Sequence, residues 1–390
     1  MMILMLAACG PSQQQSPPPA TPLSASAQPA ATPAGPRCSY VVKRVSAAGR
    51  GAMRPQIAAG ADAFAVVWEE TSQHRAVMVQ TFGLDAQPLG PALELGDAAH
   101  PGAEPRVVAL PASVGGFAAF WSTEQTDTSL IDLRKIDRAG RFKSDVVPVV
   151  VAPGARTLAA GPSEAGFAVA WWNWSGVPHQ LAVSFLDQDG RALGRPSPIT
   201  RLPSPDPTVD VWTGAAVGAR ALDVIAWEEL VDGVEHVVVG EISRDRLAGR
   251  VDVGPGETPE LGRGLVVFER ATQQSIYSAS LVGGSPVRIT DGHVPAAAPR
   301  GANGSALCWL RDTDPSEEVH LDELTCGDLV DGKIVDGTRI AVAPRGIFAV
   351  QLAVNASRIG VAWQSQEEDD TAVSFASLSC PEVAASTARR

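Results

Sequence analysis

The sequence predicts an all-β protein, a seven-bladed β-propeller of four-stranded blades over residues 38–381. Three observations predict this fold. A strand that ends in an aromatic residue recurs along the chain, short apolar runs and turn residues fill the intervals, and an uncharged segment rich in Pro and Ala comes first. A repeat of about 40 to 50 residues is typical of propellers, in which each copy forms one blade.

The repeated segment is clearest in its first copy, P-x-I-A-A-G-x-x-x-F-A-V-V-W-E, which ends around Trp68. Continuous apolar triplets beside the aromatic suit strands that are covered on both faces, as strands in stacked blades are. We therefore expect these aromatics to pack between blades. The seven anchor aromatics are Trp68, Trp121, Trp171, Trp227, Phe268, Trp309 and Trp363.

The first unit divides into four short runs, as the strands of a meander do. These runs are Gln56–Ala59, Phe64–Trp68, Ala76–Phe82 and Pro91–Leu95. Asp and Gly recur between the third and fourth runs, where they suit turn positions of positive φ.

The last unit supplies only three strands before the chain stops, namely 348–354, 358–363 and 372–378. The apolar run at 40–45 precedes the first unit and fits the missing outer position. We therefore expect the N-terminal strand to complete blade seven and close the ring.

The cysteines support this closure. Cys38 precedes the N-terminal strand and Cys380 ends its expected neighbour, so a disulfide between them would join the two ends of the ring. Cys308 and Cys326 fall on the second and third strands of blade six, where they can form a second pair. The alternative for Cys308 is a buried free thiol. Two disulfides suit an oxidising periplasm or cell surface.

The N-terminus resembles the lipobox of bacterial lipoproteins in the run Leu6-Ala7-Ala8-Cys9-Gly10. The resemblance implies that residues 1–8 are a signal peptide and that Cys9 is diacylated, which places the protein at the outer membrane or cell surface. No Lys or Arg precedes the apolar stretch, so we expect the true start upstream. A non-lipid signal or a buried N-terminus is the alternative. Residues 9–37 form the lipidated cysteine and a disordered tether, and 382–390 a C-terminal tail.

The net charge of −12 excludes nucleic acid as a partner and favours a cation or a basic protein. Acidic residues concentrate where second strands pass into third strands, and in a propeller these connections share one face. The alternative interpretation is a solvated rim. The acids concerned are Glu69, Glu70, Glu124, Asp127, Glu228, Glu229, Asp232, Glu235, Glu269, Asp312, Asp314, Glu317, Glu318, Glu367, Glu368, Asp369 and Asp370.

Two candidate sites stand out on this face. Carboxylates at alternate loop positions can converge on calcium, which predicts a Ca²⁺ site at Asp312 and Asp314 with Glu317 or Glu318. Pro315 replaces the Gly of known calcium loops, and a solvated turn is the alternative.

In blade three, Trp172 and Trp174 point to the same side of a strand, so they can form an exposed platform for a glycan ring or an apolar anchor. Packing against blade four is the alternative.

Residues 39–380 resemble the repeats of secreted bacterial propellers, distantly like sialidases and the Tol-Pal periplasmic propeller. A sialidase would need an arginine cluster and a tyrosine nucleophile. Arg54, Arg106, Arg156, Arg263 and Arg300 lie near inner-strand positions, but the only tyrosines are Tyr40 and Tyr277. We therefore predict a non-catalytic envelope lipoprotein whose propeller is a binding or scaffolding module, the alternatives being a glycan-active enzyme and a component of an envelope assembly complex.

Overall fold

The computed structural model describes residues 38–381, apart from 72–73, 98–99, 126–127, 174–179, 201–207, 218–219, 244–245, 302–303 and 314–320, and it gives only the backbone at the remaining positions of 212–222 and at 336. Within this range, seven separate four-stranded sheets form the fold, and the helical content is the single 3₁₀ turn Ala271–Gln273. The predicted all-β architecture of seven four-stranded blades is confirmed. In the same range no helix is long and apolar enough to span a bilayer.

Each blade contributes one innermost strand. In blade order these are β2 (Met53–Ala59), β6 (Gly102–Ala109), β10 (Ala155–Ser163), β14 (Val209–Val217), β18 (Glu257–Gly262), β22 (His293–Arg300) and β26 (Ile347–Val354). The second strands are β3 (Ala63–Glu70), β7 (Phe117–Glu124), β11 (Gly166–Asn173), β15 (Arg220–Val231), β19 (Leu265–Arg270), β23 (Gly304–Asp312) and β27 (Ile359–Glu367).

The outer half of each blade completes the sheet. The third strands are β4 (Ala76–Gly83), β8 (Ser129–Ile136), β12 (Gln180–Asp187), β16 (Val234–Ile242), β20 (Ser275–Ser280), β24 (Asp322–Val330) and β28 (Asp370–Ser379). The outermost strands are β5 (Leu93–Glu94), β9 (Val147–Ala152), β13 (Ser197–Thr200), β17 (Leu247–Pro255), β21 (Val287–Asp291), β25 (Lys333–Ala343) and, for blade seven, β1 (Ser39–Arg44).

The inner strands form a closed ring. Each one contacts the inner strands of both neighbouring blades, and β26 of blade seven contacts β2 of blade one. The anchor aromatics all lie on second strands and are buried, from Trp227 at 0% exposure to Trp171 at 7%. Their predicted role in the core is confirmed, and the clusters that contain them join residues of adjacent blades.

Blade seven combines strands from both ends of the described chain. Strand β1 pairs antiparallel with β28, with Ser39 opposite Ser379 and Arg44 opposite Ser374. Its position at the outer edge leaves Tyr40, Val41 and Val42 about two-fifths exposed.

Both predicted disulfides are present. Cys38 and Cys380 are bonded across a sequence separation of 342 residues. Cys308 and Cys326 face each other directly across β23 and β24 and are bonded too, so Cys308 is not a free thiol.

The outer strand of blade one is shorter than the sequence predicts. The strand spans Leu93–Glu94, and the Leu95 N–H donates to Val77 O of β4 at 2.8 Å, whereas the predicted run began at Pro91. Proline has no N–H to donate to a ladder, so pairing begins after it.

Candidate functional site

The inner strands begin with a β-bulge, where the register against the second strand shifts. In four blades the bulge holds a residue of positive φ, namely Arg54, Glu104, Thr258 or Val294. A bulge removes a backbone N–H from the ladder, and a buried N–H needs an acceptor from elsewhere.

The preceding blade supplies that acceptor through the residue that follows its anchor aromatic. In blade one, Glu69 Oε1 accepts from Glu104 N of blade two at 2.7 Å. Four other side chains accept in the same way from the next blade, at 2.5 to 3.0 Å. Gln364 accepts from Arg54 N, Ser122 from Thr157 N, Glu228 from Thr258 N and Glu269 from Val294 N. We call these contacts the junction bonds.

Two junctions depart from this pattern. Position 310, after Trp309, is an apolar Leu, and Asp322 of β24 accepts from Ile347 N at 2.8 Å in its place. Blade three has Trp172 at the corresponding position, and Trp172 is only 2% exposed. The exposed platform predicted for this residue is therefore wrong, because the junction position faces the blade interface; Trp174 lies outside the described residues.

Glu69 is the most heavily bonded of these acceptors. It is fully buried, and besides Glu104 N it binds Arg54 Nη1 at 3.2 Å and Arg75 at 3.1 Å. A carboxylate held by two guanidinium groups and a backbone N–H is a strong charge-assisted contact.

The acids two positions after an anchor also have structural partners. Glu70 accepts the indole N–H of Trp68 at 3.2 Å, and Glu229 accepts that of Trp227 at 3.1 Å. Arg250 lies 3.1 Å from Glu229.

These contacts correct the prediction that all of these acids contribute to one charged surface. Glu69, Glu228 and Glu269 are buried at blade junctions. Others on this face, including Glu124, Asp232, Glu367, Glu368 and Asp369, are exposed. The attraction of a cation or a basic protein to that remaining surface stays a prediction.

The calcium prediction concerns one described residue. Asp312 ends β23 and is half-buried, while Asp314, Glu317 and Glu318 lie outside the described residues. Any Ca²⁺ site there should raise the thermal midpoint of the purified chain in millimolar calcium relative to EDTA, since a ligand bound only by the folded state stabilises it. An Asp312→Asn, Asp314→Asn variant should lose the shift, and equal midpoints of the unsubstituted chain in both buffers would contradict the prediction.

A cavity of about 300 Å³ opens at the inner strands, on the axis of the ring. Residues of blades one to five and blade seven line it. They are Arg54, Pro55, Gln56, Glu104, Arg106, Thr157, Leu158, Ala159, Ala160, Thr208, Val209, Asp210, Glu260, Ala349 and Gln351.

One position of the repeat supplies five of the polar lining residues. In every blade, one inner-strand residue pairs with the residue just before the anchor aromatic, and we call these seven residues the channel ring. Around the axis they are Gln56, Arg106, Ala159, Asp210, Glu260, Ala296 and Gln351, of which all but Ala296 line the cavity.

The charged members of the channel ring are held by the backbone of the next blade. Arg106 donates from Nε to Leu158 O and from Nη1 to Pro105 O. Asp210 Oδ2 accepts from Leu261 N at 2.7 Å, and Glu260 accepts from the N–H of Ala297. Each side chain keeps part of its surface open to the channel.

Burial shifts the protonation of these groups. It raises the pKa of Asp210 to about 6 and that of Glu260 well above its ordinary value, and the neighbouring Asp210 charge raises Glu260 further. Burial also lowers the pKa of the Arg106 guanidinium to about 10. Poor solvation therefore disfavours the charged forms of Asp210 and Glu260 and of Arg106.

The junction carboxylate Glu228 is shifted in the same direction. Burial raises its pKa to about 7, although the backbone N–H groups of Thr208 and Thr258 oppose the shift. Because the folded state then holds this proton more tightly than the unfolded chain, the stabilisation is complete below about pH 4 and is lost as the pH rises through about 7.

The free energy of unfolding should accordingly fall by about 2 kcal/mol between pH 5 and pH 8 from Glu228 alone. Urea unfolding at several pH values measures it, and Glu228→Gln should flatten the dependence. A free energy of unfolding that rises over this interval would be the opposite result.

The arginines expected near the axis separate into two groups. Arg54 and Arg106 line the cavity, and Arg156 lies 3.4 Å from the lining residue Glu104. Arg263 follows the end of β18, and Arg300 pairs with Asp328 of β24.

Neither tyrosine is in the cavity. Tyr40 lies on the outermost strand β1, and the Tyr277 hydroxyl on the third strand β20 donates to Gln273 Oε1 at 2.5 Å. Sequence analysis did not single out Asp210 and Glu260. The signal that could have found them is their place in the repeat. Both occupy the inner-strand position that pairs with the residue before the anchor, which becomes visible once the seven inner strands are aligned on the anchors.

The fold thus belongs to the class of seven-bladed β-propellers. No family model matches the chain, and no curated protein does. Similar solved structures include one from a study of two prolyl endopeptidases (14% identity, TM-score 0.45, covering 84% of this chain and 45% of that one). A mutant Trypanosoma rangeli sialidase with trans-sialidase activity has 10% identity and a TM-score of 0.41, covering 88% and 59%.

A subtype N10 neuraminidase-like protein named for the little yellow-shouldered bat has 10% identity and a TM-score of 0.46, and the match covers 87% of this chain and 99% of that one. The chain therefore spans about half the length of the endopeptidase and of the sialidase. At these identities and TM-scores the comparisons carry no conclusion about activity.

Proposed function

We propose that this chain is a bacterial envelope lipoprotein, anchored through diacylated Cys9, whose propeller binds a ligand at the channel ring without transforming it. The observation that carries the binding role is the cavity, because charged side chains of several blades meet there around one axis. Pockets with a few convergent polar groups are the usual ligand sites of proteins.

The way these groups are held supports the proposal that the ligand is bound without being transformed. Asp210, Glu260 and Arg106 each bond the backbone of an adjacent blade, which fixes them as walls of the channel. A sialidase-like reaction would need a nucleophile at the axis, and Tyr40 and Tyr277 lie on outer strands. Hydrolysis of a fluorogenic sialoside by the purified chain would contradict this part of the proposal.

In this proposal the two ends of the chain have separate roles. Residues 11–36 carry no charge and are rich in Pro, so they serve as a spacer between the lipid and the propeller. Strand β1 then closes the ring, supported by its pairing with β28 and by the Cys38–Cys380 bond. The two disulfides suit an oxidising envelope compartment.

Replacing Cys9 by Ser should release the protein from membranes. Two acyl chains hold a protein stably at a bilayer, and without the thiol neither can be attached there. Membrane fractionation after a high-salt wash measures the effect, and Cys38→Ser, which removes a cysteine of the propeller, is the control that should remain membrane-bound. A Cys9→Ser protein that still sediments with membranes would contradict the anchor.

A further inference from the structure

The channel ring has its charges on opposite sides of the axis. Arg106 belongs to blade two, whereas Asp210 and Glu260 belong to blades four and five. Gln56 of blade one and Gln351 of blade seven lie between them on one side, and the remaining members are alanines.

The positive wall has a guanidinium N–H group that the described residues leave without a hydrogen bond. Arg106 uses Nε and Nη1 for backbone carbonyls, and its Nη2 makes no hydrogen bond to the residues that the structure describes. Arg54 lines the same cavity, and Arg156 lies beside it against Glu104. Guanidinium groups bind carboxylates through paired N–H donors.

The negative wall has the complementary need. Asp210 and Glu260 lie on adjacent blades and both line the cavity, and the Asp210 charge raises the pKa of Glu260. A cationic group placed between them would relieve this repulsion and let both carry charge. A compact cation that also donates several hydrogen bonds, such as an ammonium group, suits two carboxylates best.

We propose that the ligand of the channel ring is a small zwitterion, with its carboxylate toward Arg106 and its ammonium group toward Asp210 and Glu260. Gln56 and Gln351 offer amide donors and acceptors to the polar atoms between the two charges. The cavity of about 300 Å³ admits an amino acid or a comparably small molecule. This inference rests on the proposed binding function and specifies its ligand class.

Calorimetric titration of the purified full chain tests it with glycine, alanine, serine, β-alanine and 4-aminobutyrate, which vary the separation of the two charges. We expect at least one to bind. Acetylating its amine or esterifying its carboxylate should each weaken binding at least tenfold, because each change removes one of the two charges. These two analogues need no variant protein and so do not depend on how a substitution folds.

The second part of the test uses a double variant of the protein, Asp210→Asn with Glu260→Gln. The matched control is Glu164→Gln, which changes an exposed carboxylate on the turn after β10. The double variant should weaken binding at least tenfold and the control should not change it. A masked analogue that binds as tightly as the zwitterion would overturn the inference, as would a folded chain that binds none of the five. Membrane fractionation and sialoside hydrolysis test the anchor and the absence of catalysis separately, so a failure of those parts of the proposed function is distinguishable from a failure of the ligand class.

Discussion

Replacing Cys38 and Cys380 by Ser is expected to lower the free energy of unfolding by about 6 kcal/mol, by the loop-entropy relation. This disulfide joins residues 342 positions apart. Its loss therefore raises the conformational entropy of the unfolded chain over nearly the whole propeller. It also releases β1, an edge strand that pairs with β28 alone and is exposed along most of its length. Urea unfolding measures the change, and hydrogen exchange should show the first loss of protection in β1.

The second disulfide provides the comparison. Cys308 and Cys326 close a separation of only 18 residues, for which the same loop-entropy relation gives about 3 kcal/mol. Replacing this pair by Ala should therefore cost less, with β1 still protected. If the Cys38, Cys380 variant unfolds at the urea concentration of the unsubstituted chain, the bond does not stabilise the ring.

Replacing Glu69 by Ala is expected to cost about 3 kcal/mol, the upper end for leaving a buried N–H without its acceptor, because the two guanidinium partners are half-exposed and add little. The substitution leaves Glu104 N without its acceptor and takes the carboxylate from Arg54 and Arg75. Glu69→Gln should cost less, because its carbonyl can still accept from the bulge.

The control for Glu69 is Glu124→Ala. Glu124 ends the second strand of blade two as an exposed acid, and its replacement should change the free energy of unfolding by no more than about 0.5 kcal/mol. Thermal or urea unfolding of the three variants gives the order. Equal losses for Glu69→Ala and Glu124→Ala would show that the junction bond does not contribute.

The repeat in the sequence was enough to predict the blades. An aromatic at the end of an apolar run marks a strand that is buried on both faces. Trp68 and its counterparts therefore located the second strand of each blade. The Cys38–Cys380 pair was predictable because the last unit lacked a strand and a cysteine stood at each side of the gap.

The site was far less predictable. Glu69, Glu228 and Glu269 looked like acids of an exposed connection, because nothing in their own blade shows that a bulge of the next blade faces them. Glu69 and its partner Glu104 are 35 residues apart, and no local pattern encodes such a contact. Asp210 and Glu260 are single polar residues in inner strands whose sequence pattern is faint. Their shared position around the axis is visible only in the folded structure.

The junction bonds also bear on how such a ring can change in evolution. Blades one, two and five each carry an acceptor after the anchor and a bonded bulge N–H on the inner strand, so each of them holds one half of the junction on either side. A tandem duplication of one blade would bring both halves with it, and the new copy would find a matching neighbour at each boundary. Lineages of this protein could therefore gain or lose such blades without inventing a new interface, whereas blades three and six, with Trp172 and Leu310 in place of the acceptor, would not be interchangeable with them.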